Sequence, residues 1–366
     1  MKVLVGLSGG IDSSVAAHLL AKEGHEVEGV TMLIWKKDSP YPAPVSPNSC
    51  YSPARAEDKV QIADFCRRLS IPYHILDCSD LYESTVLENF RSEYMNARTP
   101  NPCVWCNQKI KFGCLLDYAR AQGISFDAFA TGHYARITYN QDLDRWELRR
   151  AKDLKKDQSY FLYRLDQDQL AHTLFPLGGL FKSEVRAIDV AQGFHEEGQA
   201  ESQDFYGGDY SELIGVEDRP GDIVTTDGRV LGRHKGFWHY TIGQRKGLGI
   251  AAARPLYVLD LDSVSNRVVV GFEDEGGQSI ADVDDVVWTS RDDFDPGRIY
   301  QVKVRSASRG EDALVEKTGP CSFRVRFRSP SRGVTPGQSC VVYDDDLVVA
   351  GGIIESSPLD MAHVSC

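Results

Sequence analysis

The sequence predicts an α/β domain with a parallel sheet, then a small linking domain, then a terminal β domain. Two observations predict this. Up to about residue 190, short apolar runs alternate with stretches of helical periodicity. That is the signature of crossovers packed on both faces of a parallel sheet. After about residue 205, turns such as "RPGD", "TTDG" and "DLDSVSN" separate short β-rich runs, as in small barrels or sandwiches. A length of 366 residues is enough for two or three domains.

The elements follow in order. "KVLVGL" is a short apolar run, so a buried strand. "DSSVAAHLLAKEG" has helical periodicity, with Asp12 and Ser13 at its start and Gly24 at its end. "EVEGVTMLI" is the next strand, "ARAEDKVQIADFCRRLS" a helix, "PYHILD" a strand and "DLYESTVLENFRSEYMNA" a helix. "GCLLDYARAQG" is another helix and "FDAFATGHYA" a strand. Residues 159–190 are expected to return to helix. The run 36–55 holds five prolines and no periodicity, which marks a loop, and a long loop inside a domain is more often functional than idle. Beyond it, "PLYVLDLDSVSNRVVVGF" reads as a hairpin, and "YQVKVRSAS", "CSFRVRFRS", "QSCVVYDDD" and "LVVAGGIIESS" as strands. The expected division is 1–207, 208–279 and 280–366.

Composition narrows the class. The apolar and charged fractions are ordinary, and no apolar run reaches the roughly 20 residues of a membrane helix. No signal-peptide pattern opens the chain, so a cytoplasmic protein without membrane contact is expected. Nine cysteines are too sparse for a disulfide scaffold; Cys66, Cys114 and Cys340 are expected as small buried hydrophobes. The net charge of −12 argues mildly against nucleic acid. Yet residues 298–332 hold Arg298, Lys303, Arg305, Arg309, Lys317, Arg324, Arg326, Arg328 and Arg332 against three acids. A basic face on an acidic protein is therefore expected.

"VGLSGGIDSS", residues 5–14, lies between the first strand and the first helix. Successive backbone N–H groups and a helix N-terminus make an anion site there. Gly9 and Gly10 let the backbone approach the anion closely. Ser8, Ser13 and Ser14 add hydroxyls, and Asp12 is suited to hold Mg²⁺ on a pyrophosphate. The loop lacks the lysine of the P-loop and the spacing of the dinucleotide fingerprint. It resembles the S-G-G-x-D-S loop of ATP pyrophosphatases, which split ATP into AMP and pyrophosphate and adenylate a substrate oxygen.

Together with that loop, "RTPNPCVWCNQKIKFG" (98–113), "ATGHYAR" (130–136), "KKDQSYFLY" (155–163), "HYTIGQRKGLGI" (239–250) and "TPGQ" (335–338) resemble the tRNA-specific 2-thiouridylases, nearly end to end and in the same order. The resemblance implies an ATP pyrophosphatase domain, a small linking domain and a C-terminal β-barrel. It implies ATP and Mg²⁺ as cofactors, a tRNA anticodon arm as partner, and a sulfur donor, either a sulfur-relay protein or a cysteine desulfurase. A monomer or weak dimer is expected. It further implies that the wobble uridine is flipped out, its C2 oxygen adenylated, and that oxygen replaced by sulfur. By motif, Cys106 would act on the activated base, with Cys103 and Asp12 the other catalytic candidates. Leu7, Ser8, Gly9, Gly10, Asp12, Ser13 and Ser14 would hold the phosphates, and Met32 and Gly132 the adenosine. Asn101, His133, Lys156, Asp157, Gln158, Arg305 and Gln338 would contact tRNA. Lys109 and Lys111, near in sequence, and a helix N-terminus would favour a thiolate at Cys106.

The pattern breaks at three places: "SCYS" holds only Cys50 where the family usually shows a pair of cysteines before a serine, Arg305-Ser306 stands where an Arg-Tyr pair is often found, and the persulfide segment differs. The family carries its persulfide on a cysteine in a segment like S-Q-D-I-C-F, and here "SQDFY" puts Tyr206 in that position. Three arrangements are open. Cys103 takes the persulfide and resolves with Cys106. Alternatively Cys103, Cys106 and Cys50 ligate a [4Fe-4S] cluster. Or thiolation is lost and tRNA binding or adenylation is kept. A zinc site would want a second cysteine pair, and none is present. An adenylating amide ligase leaves "CVWC" and "TIGQRKG" unexplained. The aromatics of "FWHYTIG" serve equally as base-stacking groups or as core.

Overall fold

The computed structural model describes residues 1–42, 49–52, 58–196 and 205–356. The apolar run after Met1 forms β1 (Lys2–Gly6), and α1 (Ile11–Lys22) follows the glycine loop. Then come β2 (Glu26–Leu33), α2 (Asp58–Leu69) and β3 (Tyr73–Asp77). Next are the short helices α3 (Ser79–Tyr82), α4 (Glu88–Met95), α5 (Pro102–Trp105) and α6 (Leu115–Ala121), then β4 (Ala128–Ala130). With β7 (Thr173–Leu174), the four earlier strands make one all-parallel sheet in the order β3-β2-β1-β4-β7. Val3, Val5 and Val27 on this sheet pack with Leu20 of α1 and with Phe65 and Cys66 of α2. Chain order reverses between β1 and β4, so the crevice outside their carboxyl ends is the expected ligand position for such a sheet.

Two compact units result. One comprises residues 1–87, 102–209 and 346–348; the other 88–101, 210–345 and 349–366. The second unit contains two β structures. Strands β8 (Gly221–Thr225), β9 (Val230–His234), β10 (Tyr257–Asp262) and β11 (Arg267–Gly271) form a small sheet in the order β10-β11-β8-β9. The last six strands are β12 (Gly277–Trp288), β13 (Ile299–Lys303), β14 (Glu311–Gly319), β15 (Ser322–Arg332), β16 (Ser339–Asp344) and β17 (Leu347–Ser356). They run β12-β15-β14-β13-β16-β17, and pairing of β12 with β17 closes them into a barrel. Closure removes the open edges. Tyr300, Val302, Phe323, Val325, Cys340 and Val342 fill the interior. The expected α/β domain, small middle domain and terminal β-barrel are all present. Cys66, Cys114 and Cys340 are buried, as expected.

Two local expectations fail, and a third holds with a difference. Residues 159–190 are not continuous helix. Asp166 caps a fresh helix, α7 (Gln167–Ala171), through a reciprocal box with Gln169. Pro176 and two glycines then interrupt the chain before α8 (Lys182–Gln192). At Gly178 a Cβ would lie 1.8 Å from the Ala135 carbonyl, so no side chain fits. The strand expected over "FDAFATGHYA" stops at Ala130, and residues 135–150 form a hairpin of β5 (Ala135–Asn140) and β6 (Arg145–Arg150) that was not anticipated. Finally, the helix expected over 80–97 is present from Ser79 to Met95 and contains a π-helical stretch, Glu83–Leu87. It contains the β-branched pair Thr85–Val86, a type that crowds the preceding turn of an α-helix.

Candidate active site

The glycine loop sits at the carboxyl end of β1, the central strand of the parallel sheet. Gly9 has φ +77°, a conformation that favours glycine. Leu7 is anchored by its N–H donating to the Val30 carbonyl (2.8 Å), while its own carbonyl accepts from the Thr31 hydroxyl (2.8 Å). The Ser13 hydroxyl accepts from the Ser8 N–H (3.2 Å) and donates to the Gly10 carbonyl (3.0 Å). Ser13 and Ser14 are buried under the loop. Met32 lies at the end of β2, on the same edge of the sheet. Gly132, after β4, packs so closely that a Cβ there would lie 2.7 Å from the Asp12 carbonyl carbon and 2.8 Å from the Ser13 nitrogen. The two loops therefore touch backbone to backbone.

Asp12 carries the contacts that sequence reasoning missed. Its Oδ1 accepts from Lys182 Nζ at 2.7 Å and from the Tyr134 hydroxyl at 2.8 Å. Lys182 is 7 % exposed and lies in the first turn of α8. A cation there opposes the helix dipole, which is a local cue that the ammonium serves something else.

His133 hydrogen-bonds through Nδ1 to the Thr131 hydroxyl (2.7 Å) and lies among Phe112 and Phe175. Burial first, then the Lys111 charge, holds its pKa well below the usual histidine value, so the imidazole is neutral at neutral pH.

Cys103 lies in α5, and Cys106 opens a π-helix, Cys106–Cys114. The Asn107 amide donates to the Phe161 carbonyl (3.0 Å). Gln108 accepts from Arg164 Nε (2.9 Å) and donates to the Arg164 carbonyl (3.2 Å). The Gln169 amide donates to the carbonyls of Gln108 (3.2 Å) and Phe112 (2.9 Å). The "CNQKIKF" and "SYFLYR" motifs are thus one packed object. Cys106 is 9 % exposed. Burial pushes its thiol up to about 11, with Lys111 opposing and Cys50 and Cys114 adding to the rise. The expected thiolate is not favoured in this state, because desolvation outweighs the nearby lysine.

The expected [4Fe-4S] ligand set is not assembled. Among the described residues no group of three or more His, Cys, Asp or Glu side chains is placed to hold a metal. Cys50 is exposed on the proline-rich loop, Cys103 half-buried and Cys106 buried. Three thiolates converging on one cluster are missing, so the residues do not fit that group.

The proposed tRNA residues fall in both units. In the first, Gln158 donates its N–H to the Tyr134 carbonyl (2.8 Å) and accepts from the Tyr134 N–H (2.9 Å), which clamps the "GHY" turn. Asp157 accepts from the N–H groups of Ala151 (3.1 Å) and Ser159 (3.2 Å), and the Lys156 N–H bonds to the Asp153 carbonyl. In the second unit, Arg305 donates to the carbonyls of Gly333 (2.9 Å) and Ile242 (2.7 Å) and to the Thr335 hydroxyl (2.9 Å). It ties "TIGQ" to "TPGQ". Gln338 donates to the Pro100 carbonyl (3.1 Å) and Thr99 N–H to the Pro336 carbonyl (2.8 Å), and Asn101 is buried beside them. Phe237 and Trp238 of "FWHYTIG" are core. The basic run is partly neutralised: Arg298 pairs with Asp344, Arg324 with Asp282 and Arg332 with Glu273. Arg326 and Arg328 face solvent on β15.

Comparison with known proteins decides the family. The tRNA methyl transferase HUP domain model matches residues 1–206, the tRNA methyl transferase PRC-barrel domain model 213–272, and the aminomethyltransferase beta-barrel domain model 279–354. The tRNA-specific 2-thiouridylase MnmA of Endomicrobium trichonymphae is 45% identical over 97% of this chain and 99% of its own length. That of Moorella thermoacetica is 43% identical over 96% and 99%. The chain belongs to the tRNA-specific 2-thiouridylase family. A solved structure, the U34-tRNA thiolase NcsA of Methanococcus maripaludis with its [4Fe-4S] cluster, is 20% identical, covers 59% of this chain and 64% of that chain, and has a TM-score of 0.34. A likeness this slight carries nothing about a cluster here. Tyr206, the residue that stands where the sequence resemblance expects a thiol, is buried.

Proposed function

We propose that this chain is an ATP-dependent tRNA uridine 2-sulfurtransferase. It adenylates the C2 oxygen of the wobble uridine, replaces it with sulfur, and releases AMP and pyrophosphate. The carrying observation is the glycine loop at the switch point of the sheet, in a chain alignable over nearly its whole length with 2-thiouridylases. The loop amides and the Ser8 and Ser13 hydroxyls bind the phosphates, and Met32 and Gly132 border the adenosine. Asp12 offers one hard carboxylate, which suits Mg²⁺, an ion that takes one or two carboxylates plus phosphate oxygens. Bound there, Mg²⁺ would neutralise the pyrophosphate as it leaves. Neutral His133 stands beside the target base and positions it without adding charge. Cys106 attacks in the sulfur step, once its proton is removed. Asn101, Lys156, Asp157, Gln158, Arg305 and Gln338 hold the anticodon arm, directly or by fixing the turns that do. The domain limits 1–207, 208–279 and 280–366, action as a monomer or weak dimer, and a cytoplasmic setting belong to the same proposal.

The test is pyrophosphate release with and without tRNA. Release that requires uridine-34 tRNA supports the reading. Release driven by ammonia or an amino acid in the absence of tRNA would replace it with an amide ligase.

A further inference from the structure

The sulfur step needs a thiol that an outside donor can reach, and Cys106 is buried. Cys50 meets that need. Ser49, Tyr51 and Ser52 around it are 1 %, 0 % and 3 % exposed, while Cys50 itself is exposed. The tetrapeptide is held firmly. The Ser49 hydroxyl donates to the Tyr51 carbonyl (3.2 Å), and the Tyr51 hydroxyl meets the Ser39 hydroxyl (3.0 Å). The Tyr51 ring stacks on Tyr82 at 5.8 Å and 10°. The Tyr51 N–H donates to the Phe205 carbonyl at 3.1 Å. Cys50 therefore sits one residue from a backbone bond to the neighbour of Tyr206, the position where a second thiol is missing. Tyr82 belongs to α3 (Ser79–Tyr82), and α3 packs on the π-helical stretch that begins at Cys106. The Cys50 segment and the Cys106 helix therefore both pack on α3, although among the described residues no three thiols form a metal set.

We propose that Cys50 takes up the sulfur as a persulfide and that Cys106 closes the cycle by attacking it. The proposal rests on the sulfurtransferase reading. In the first step the Cys50 thiolate attacks the outer sulfur of a sulfane donor; a Cys50 S–S bond forms, the donor's S–S bond breaks, and the donor thiolate leaves. The terminal sulfur then attacks C2 of the adenylated uridine; C–S forms, C–O breaks and AMP leaves. Cys106 thiolate next attacks Cys50 Sγ. That S–S bond breaks, 2-thiouridine is released and a Cys50–Cys106 disulfide forms. A dithiol reductant supplies two electrons and two protons to restore both thiols and becomes a disulfide itself.

The test starts with the unaltered full-length protein treated with inorganic polysulfide, alkylated, digested and weighed by mass spectrometry. The extra sulfur is expected on the Cys50 peptide. In a single turnover with tRNA, Cys50→Ser should lose roughly 10²-fold or more of its 2-thiouridine formation, the scale of losing a covalent catalyst, while tRNA-dependent pyrophosphate release persists. Cys106→Ser should accumulate tRNA disulfide-bonded to Cys50, freed by dithiothreitol. Cys321→Ser, at an exposed cysteine of the second unit, should change nothing. Extra sulfur on Cys103 instead, or Cys50→Ser thiolating at the wild-type rate, overturns the proposal and leaves the sulfurtransferase reading intact. Wild-type protein that makes AMP but no 2-thiouridine takes both down.

Discussion

At the residue scale the site is decided by two desolvated groups. Lys182 holds Asp12 at 2.7 Å. On the proposed reading the same ammonium would serve the phosphates held at that loop. Lys182→Gln should lower kcat/KM for ATP by roughly 10²–10³, the scale for losing one preorganised charge-stabilising donor, and should leave tRNA affinity unchanged. Steady-state pyrophosphate release and a tRNA binding titration check this; an unchanged kcat/KM would limit Lys182 to packing. Cys106 is the second group. Its thiol is raised to about 11, mainly by burial, with Cys50 and Cys114 adding and Lys111 opposing. Only the thiolate reacts, so the thiolate fraction grows with pH until the pH passes the raised value. Alkylation of Cys106 by iodoacetamide should therefore quicken about tenfold per pH unit from neutrality upward and level off near 11. A plateau at the ordinary thiol value would show that the site is wetter than its burial implies. The glycine loop was legible in the sequence because its chemistry is local: glycines, hydroxyls and one carboxylate between a strand and a helix. Lys182 was not, because it reaches Asp12 across 170 residues and no spacing records such a contact.

At the scale of elements, the π-helix from Cys106 to Cys114 needs outside partners. Its i→i+5 geometry changes which carbonyls find a donor, and the Gln169 amide supplies two. Gln169 also closes the cap of α7. Gln169→Leu should destabilise the protein by about 1–3 kcal/mol, the cost of leaving buried carbonyls unpaired, measured as a lower urea midpoint with an unchanged slope. A neutral result would mean that water replaces the amide. The parallel strands and the first two helices were legible from periodicity. The π stretch at 83–87 and the hairpin 135–150 were not. A π turn adds one residue to a single turn of an otherwise α-helical run, and a shift confined to so few residues is too short to read from periodicity. The hairpin's two strands are largely polar, "ARITYN" and "RWELRR", and give little alternation to read.

At the scale of the molecule, motifs far apart in sequence become single structures. Arg305 joins "TIGQ" to "TPGQ", and Gln338 joins "TPGQ" to "TPNP", all within the second unit. Arg305→Gln should cost about 2–3 kcal/mol through lost charged hydrogen bonds and weaken tRNA binding by disordering both turns. Thermal unfolding and a binding titration at fixed salt, which such affinities require, would check it; intact stability with weakened binding would instead place Arg305 directly on the tRNA. The three-part architecture was legible as a change of texture near residue 205. The assignment of residues 88–101 to the second unit was not, because it depends on packing against "TPGQ", more than 200 residues away.

Nucleoside analysis of tRNA after one reaction with ATP, Mg²⁺, a sulfane sulfur donor and a dithiol decides whether this chain transfers sulfur. 2-Thiouridine at the wobble position and AMP are expected in equal amounts, both lost in Asp12→Asn. AMP formed without 2-thiouridine, or an amide product in its place, would contradict the sulfurtransferase reading.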